Sequence, residues 1–186
     1  MASIGHAAIG MAAGRRLAPP GRSQRTFALM FLFSLLSLLP DVDVVGFAMG
    51  VPYGAPFGHR GATHSLATAA LVGFMAAVAA SARSTSDPEA PGRALRFGAY
   101  VALVIASHGL LDAMTDGGKG VALLWPVTTR RFFFAWRPIP VAPIGADFFS
   151  ISGMRVAAVE LIEFAPVFAY ALLARRGPRK YKGAGE

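Results

Sequence analysis

The sequence predicts an all-α integral membrane bundle of about four to five apolar helices, with an extramembrane connection rich in proline and aromatic residues. Of the 186 residues, 54% are hydrophobic and only 15% are charged, whereas soluble domains carry about 25% charged residues. The apolar residues form five separate segments, and proline, glycine or charged clusters lie between them. A soluble all-helical domain with the same apolar runs is the alternative.

The five apolar segments cover residues 4–17, 27–39, 65–82, 95–111 and 156–174. A helix that crosses a bilayer needs about 20 residues, and the last three segments approach that length. The first two are shorter, so we expect them to tilt, to lie where the bilayer is thin or to pack inside the bundle. Residues 1–175 are predicted to form a single membrane-embedded domain, and residues 176–186 a basic tail.

Proline marks the ends of the first two segments, because it has no backbone donor and a fixed φ. Pro19 and Pro20 end the first, and Pro40 ends the second. Residues 83–96 are predicted to form a solvated loop. Residues 115–154 are predicted to form an ordered lid or interfacial element, whose aromatic run at 132–136 is typical of a membrane-interface belt.

The formal net charge of +8 lies in short clusters between the apolar runs. This distribution favours anionic lipid headgroups as partners, and it argues against a nucleic-acid groove. If the segments alternate sides, 12 of the 18 basic residues fall on one side, which the positive-inside rule makes cytoplasmic. These residues are Arg15, Arg16, Arg22, Arg25, Arg83, Arg93, Arg96, Arg175, Arg176, Arg179, Lys180 and Lys182.

Four polar clusters interrupt the apolar chain, and the same topology puts all of them on the side opposite the cytoplasm. They contain all 4 histidines and 3 of the aspartates: His6, then Asp41 and Asp43, then His59 and His64, then His108 and Asp112. Singly, each residue is explained as a cap, an anchor or a solvated group. Together they indicate a functional site, because ionisable groups near a membrane are costly.

The residue types indicate a metal site. The absence of cysteine excludes thiolate ligands and disulfides, and histidine with carboxylate suits Zn, Mn, Fe or Ni. His108 and Asp112 are four apart on a helix and share a face. Asp41 and Asp43, in an extended stretch, are expected to point the same way. So many ligands can also hold two metals, the arrangement of many hydrolytic sites.

Five pieces of sequence carry a resemblance to a known family: GHAAIG, LLPDVD, GHRGATHSL, SHGLLDAMTDGG and LLWP. Between residues 5 and 143 the chain resembles the LexA-regulated, membrane-bound metal-dependent hydrolases, the YdjM-like inner-membrane proteins. The resemblance implies a multi-pass, metal-dependent hydrolase. A weaker similarity to zinc-dependent phospholipase C follows the order of the histidines and aspartates. The chain lacks that family's N-terminal tryptophan ligand and has no histidine after Asp112, so we expect one or two metals.

We therefore expect His6, Asp41, Asp43, His59, His64, His108 and Asp112 to ligate a divalent metal, with zinc preferred over manganese or iron. Asp41 or Asp43 is also expected to act as general base or bridging ligand. Arg60 is a candidate catalytic residue that binds a phosphate; pairing with one of these aspartates is its structural alternative. The expected substrate is an ester or phosphoester, small or lipid, because the site lies at the membrane surface.

Three acidic residues have less certain roles. Asp116 is predicted to make a turn with the glycines that follow it. Glu160 and Glu163 either complete the metal shell or pair with Arg155 or Arg130. The two glutamates also keep a second function open, a metal or ion transporter. A third is a non-catalytic membrane protein with a structural metal.

Overall fold

The structure is a computed structural model that describes residues 3–19, 24–83 and 87–173. Within these ranges it is all-helical and has no strand, which confirms the predicted class. The helices are α1 (Ser3–Leu17), α2 (Gln24–Leu38), α3 (Val45–Ala48), α4 (Leu66–Ser81), α5 (Ala90–Ala113), α6 (Ile151–Glu163) and α7 (Ala165–Leu173). The predicted basic tail at 176–186 and Arg22 lie outside the described residues.

Two close-packed helix pairs, α1 with α2 and α4 with α5, form most of the bundle. Glycine permits the close approach: a Cβ on Gly10 of α1 would lie 2.3 Å from the Phe33 carbonyl oxygen of α2. A Cβ on Gly98 of α5 would likewise lie 2.4 Å from the Gly73 carbonyl oxygen of α4. Small residues are the usual means by which membrane helices pack closely. The two pairs meet at an apolar core of Phe33, Ala69, Val101, Val104 and Ile105.

Two continuous stretches are long and apolar enough to cross a membrane, residues 24–48 and helix α5. Helices α6 and α7 make a third only if they are counted as one span, and they are bent by 62° at their junction. Pro166 lies at the start of α7, where its ring and missing donor prevent α6 from continuing. The prediction of four to five membrane helices is therefore not confirmed. Helices α1 and α4, at about 23 Å, are shorter than the hydrocarbon core of about 30 Å.

The second apolar segment does not stop at Pro40. After α2 the chain continues as a 3₁₀ turn, Leu39–Val44, with the proline in its first turn, where a missing donor costs nothing. Residues i and i+3 are eclipsed in a 3₁₀ helix, so residues two apart point in different directions. The expectation that Asp41 and Asp43 lie in an extended stretch and point the same way is wrong.

The long connection after α5 is ordered and packs against the end of that helix. Backbone bridges join Thr115 to Ile139 and Val121 to Phe132, and Ala113, Val121 and Leu123 form a small second core. The Arg131 guanidinium donates to the carbonyl oxygens of Tyr53 and His59, both at 2.9 Å. The connection thereby fixes the loop that precedes α4, which carries part of the site.

Candidate metal centre

The predicted histidines and aspartates meet at one end of the bundle. His108 and Asp112 lie in the last turns of α5, and Asp41 lies in the 3₁₀ turn after α2. His64 ends a second 3₁₀ turn, Ala62–His64, just before α4. There Ser65 caps α4 by accepting a hydrogen bond from the Thr68 N–H. His6 comes from the first turns of α1. All five ligand candidates are buried, with less than 8% of each exposed.

One ligand atom from each of Asp41, His64, His108 and Asp112 lies within 4.8 Å of the others; we call these four residues the metal group. Asp41 Oδ1 is 3.4 Å from His108 Nε2 and 3.5 Å from His64 Nε2. Asp112 Oδ2 is 3.4 Å from His64 Nε2 and 3.8 Å from His108 Nε2. The two Nε2 atoms are 3.1 Å apart. Ligands about 2.0–2.2 Å from a tetrahedral ion are about 3.4 Å apart, so the spacing fits zinc-like coordination.

The hydrogen bonds around the metal group leave the ring Nε2 atoms and the Asp41 carboxylate oxygens that face its centre available to bind a cation. His108 Nδ1 donates to the Ser37 carbonyl oxygen at 2.6 Å, so in the neutral ring Nε2 carries the lone pair. His64 Nδ1 lies 2.9 Å from Thr63 Oγ1, which leaves its Nε2 facing the group. Both carboxylate oxygens of Asp41 are buried without a hydrogen-bond partner among the described residues. Buried polar atoms are rarely left unpaired, and a bound cation would satisfy these.

His6 lies beside the metal group. Its Nε2 is 3.8 Å from Asp112 Oδ1, and its ring stands edge-on to the His108 ring with 3.7 Å between centroids. Neither of its ring nitrogens has a hydrogen-bond partner in the described part of the chain. The structure therefore places His6 against two members of the metal group, Asp112 and His108.

Asp43 and His59 form an outer layer around the metal group. Asp43 Oδ1 accepts a hydrogen bond from His59 Nδ1 at 2.7 Å, and its Oδ2 accepts one from Thr63 Oγ1 at 2.6 Å. Asp43 Oδ2 also lies 3.2 Å from His64 Nδ1. Asp43, His59 and His64 are close enough to hold a second ion, but His64 would then have to bridge two metals. Their arrangement fits better a carboxylate–histidine pair, in which the carboxylate orients a histidine ring by contacting the ring nitrogen that does not face the metal.

Arg60 is buried, with 1% exposed, and its guanidinium is occupied by protein groups. Nε lies 3.0 Å from Asp112 Oδ2, and Nη2 donates to Asp112 Oδ1 at 3.2 Å. Nη1 donates to Thr115 Oγ1 and to the Gly117 carbonyl oxygen. The carboxylate that it pairs with is thus Asp112, and neither Asp41 nor Asp43. This two-point contact fixes the orientation of a ligand; binding of a substrate phosphate by Arg60 stays a prediction.

The charge of the site comes from the carboxylates of Asp41, Asp43 and Asp112 and from two cationic side chains, Arg60 and His64. Burial acts to lower the pKa of His64, but the neighbouring carboxylates of Asp112, Asp41 and Asp43 outweigh burial and raise the pKa to about 10. Without a metal, His64 is therefore protonated at neutral pH and supplies positive charge to the carboxylates. A divalent cation would take over that role.

The comparisons with known proteins identify the family of the chain. The model of the YdjM inner membrane protein family matches residues 1–180. The chain belongs to the YdjM inner membrane protein family. A curated relative, inner membrane protein YbcI of Escherichia coli (strain K12), is 39% identical over 144 residues, which cover 75% of this chain and 76% of YbcI. No solved structure matches the chain. Family membership and the apolar spans support a location in the inner membrane.

In this member of the YdjM family, two glutamates predicted as possible ligands have other surroundings. Glu160 of α6 is buried, and its Oε2 accepts hydrogen bonds from the Ile4 and Gly5 N–H groups at 2.9 and 3.0 Å. It caps the start of α1 and so fixes the helix that carries His6. Glu163 is exposed, in the last turn of α6. Asp116 Oδ1 accepts a hydrogen bond from the Val141 N–H at 2.7 Å and ties the connection together.

Sequence reasoning missed three residues that shape the site. A Cβ on Gly109 would lie 2.3 Å from the His64 carbonyl oxygen, so the turn before α4 can approach α5 only at a glycine. Ser37 supplies the carbonyl that orients His108, and the Thr115 hydroxyl contacts Arg60. Only Gly109 had a signal in the sequence, its place directly after a ligand histidine. A backbone carbonyl has none.

Proposed function

We propose that this protein is a membrane-bound metal-dependent hydrolase that acts on an ester or phosphoester, with a lipid as the favoured substrate. The observation that supports the proposal is the metal group itself. Two imidazole nitrogens and two carboxylate oxygens lie at tetrahedral spacing in a buried place, and neither carboxylate oxygen of Asp41 has a hydrogen-bond partner among the described residues. Carboxylates clustered in an apolar interior are costly, and they are kept where they bind a cation.

The four ligands of the metal group would hold the ion, and His6 would approach as a fifth. Two histidines with two carboxylates suit zinc best, with manganese or iron as alternatives. Bound at such a site, a divalent ion activates a water molecule as a nucleophile and polarises the scissile bond. The proposal assigns one ion, because His64 would otherwise be shared between two.

The remaining residues would prepare the site. Asp41 Oδ2 has no hydrogen-bond partner among the described residues, and it is the candidate for receiving a proton from the attacking water. Asp43 would orient His59 and His64 through Nδ1 of each ring. Arg60 would hold Asp112 in place and offset its charge. Arg60 is thus proposed as a positioning residue.

The location of the site supports a lipid substrate. The metal group lies where the two candidate spans end, 24–48 and α5, so the site would lie near the boundary between hydrocarbon and headgroups. The basic residues favour the opposite end of the bundle as the cytoplasmic side. The proposed site therefore faces away from the cytoplasm.

The break between α6 and α7 favours a second candidate function, metal transport, because transporters build ion sites on broken helices. However, the metal group draws no ligand from α6 or α7. A structural metal is the third candidate and would require a closed ligand shell.

Elemental mass spectrometry of the purified, detergent-solubilised protein tests the proposal, beside the double variant His64→Ala, Asp112→Ala. We expect about one equivalent of zinc, manganese or iron in the parent and none in the variant. Glu89→Ala removes an exposed carboxylate from the surface and should leave metal content unchanged. A metal-free parent, even after incubation with each ion, would overturn the site.

Hydrolysis then separates the three functions. The loaded protein is incubated with phospholipids and with chromogenic carboxylic and phosphate esters, and the double variant is the blank. Turnover that disappears in the variant supports the hydrolase. Metal uptake into proteoliposomes without ester cleavage would support transport instead. Bound metal with neither activity would support the structural role.

A further inference from the structure

A groove of about 320 Å³ lies between the end of α5, the connection near residue 138 and the α6–α7 junction. Leu111, Met114 and Ile139 give it an apolar lining, and Trp136, Phe164 and Glu163 also face it. Glu163 is its one charged lining residue within the described part of the chain. No residue of the metal group lines it, so the groove is a separate feature that the proposed function does not use.

The groove nevertheless lies directly beside the metal group. Leu111 precedes Asp112 in α5, and Ile139 pairs with Thr115, whose hydroxyl contacts the same arginine that holds Asp112. On the other side, Phe164 packs against Gly5, where a Cβ would lie 2.5 Å from Phe164 Cε2. The residue after Gly5 is the ligand candidate His6. A molecule in the groove thus contacts α5, which carries His108 and Asp112, and the Phe164 ring, which packs against α1 next to His6.

The depth of the groove in the bundle indicates a lipid. Helix α5 has 24 residues and is about 36 Å long at 1.5 Å per residue, which exceeds a hydrocarbon core of about 30 Å. Its last turn, which contributes Leu111 and Met114, therefore lies where hydrocarbon meets headgroups. The apolar lining suits the glycerol and acyl part of a lipid at that level, and a soluble ligand gains little from it.

The charge of the groove indicates which headgroup. Glu163 makes no hydrogen bond or ion pair with any residue in the described ranges, although the chain has a net charge of +8. It lies with Trp136, which is 69% exposed, and with the Phe164 ring. A carboxylate beside aromatic faces is the combination that binds organic ammonium groups. An anionic headgroup would be repelled.

We infer that this groove binds the ammonium headgroup of a phospholipid, with Glu163 as counter-ion and Trp136 and Phe164 as the aromatic faces. Lipid binding at the groove is independent of catalysis. The further statement that such a lipid is the substrate rests on the proposed hydrolase function, because it requires chemistry at the metal group next to the groove.

Fluorescence of Trp136 tests the inference in the full-length, detergent-solubilised protein. The chain has 2 tryptophans, so Trp125→Phe leaves Trp136 as the reporter. Short-chain phosphatidylethanolamine is titrated beside phosphatidylglycerol of equal chain length and beside free ethanolamine. We expect a saturable change with the first lipid, at an affinity about tenfold above either comparison ligand. Equal affinity for phosphatidylglycerol would overturn the inferred headgroup, and equal affinity for free ethanolamine would overturn the lipid source.

Glu163→Gln in the same background should weaken phosphatidylethanolamine binding about tenfold, whereas Glu89→Gln, at an exposed site away from the groove, should not. Because Glu163 is exposed, the melting temperature should stay unchanged, which verifies folding. Unaltered binding in Glu163→Gln would overturn the inference. The titration is repeated with the metal-loaded protein beside the ester assay: binding without ester hydrolysis keeps the groove and removes the proposed function, and hydrolysis without selective binding does the reverse.

Discussion

Replacing Arg60 with methionine tests whether the guanidinium holds Asp112. Both side chains are buried, with 1% and 0% exposed, and the two ion-pair contacts are 3.0 and 3.2 Å long. Removing one partner of a buried pair costs about 3–5 kcal/mol, because the other charge stays buried with less compensation. Arg60 has a φ of 60°. Methionine is no better suited to that backbone than arginine, so the change isolates the side chain.

The assay is thermal unfolding followed by tryptophan fluorescence, in detergent and after chelation, so that no metal offsets the charge of Asp112. For a chain of this length, about 3–5 kcal/mol lowers the melting temperature by about 6–20 °C. Arg130→Met, at an exposed arginine, is the matched control and should shift it by no more than about 2 °C.

A double variant sharpens the interpretation. Asp112→Asn added to Arg60→Met removes the buried charge of Asp112 but keeps the side-chain shape. It should therefore recover part of the lost stability, by at least about 1 kcal/mol. An Arg60→Met protein as stable as the parent would refute the reasoning, as would a double variant no more stable than the single one.

Three further predictions concern the site. Gly109→Ala should displace the His64 turn, reduce the bound metal measured by elemental analysis and lower the free energy of unfolding by about 1–3 kcal/mol. Gly92→Ala, on the same helix, is the control: its Cβ would meet open space, so the metal content should stay unchanged. Metal affinity should rise with pH, because the pKa of His64 is raised to about 10 and below that value the metal must displace a proton. In a competition titration from pH 6.5 to 8.5, each added unit of pH should strengthen metal binding about tenfold. A flat pH profile would contradict this protonation state. Glu160→Ala should destabilise the first turn of α1 by about 1 kcal/mol, and the amides in peptides covering residues 4–5 should then exchange faster with solvent. Glu160→Gln keeps a hydrogen-bond acceptor, so the same amides should exchange more slowly than in the alanine variant.

The sequence predicted the site better than it predicted the membrane spans. Polar residues in an apolar chain are conspicuous, so the histidine and aspartate clusters could be identified without coordinates. His108 and Asp112 share a helix face as their spacing requires, with 3.8 Å between Nε2 and Oδ2. Their division into an inner and an outer layer could not be predicted, because it depends on the 3₁₀ turn that separates Asp41 from Asp43.

The spans were harder because apolar composition does not reveal where a helix bends or how long it continues. Residues 156–174 have the composition of one apolar segment, but the chain breaks at Phe164, because the proline two residues later prevents α6 from continuing. Pro40 predicts the end of the segment at 27–39, whereas a proline in the first turn of a 3₁₀ helix lets the helical path continue to residue 48. The effect of a proline on a helix thus depends on its position in the turn, which composition does not reveal.

The contact of Glu160 with the first turn of α1 joins the two ends of the described chain, since Glu160 and Ile4 are 156 residues apart. During synthesis, α1 leaves the ribosome long before α6 exists. Until α6 is inserted, the N–H groups at the start of α1 lack this acceptor. A chain interrupted before α6 therefore carries all seven ligand candidates, from His6 to Asp112, but lacks the carboxylate that caps the helix of His6. The last-made part of the site is thus a support for a ligand and not a ligand.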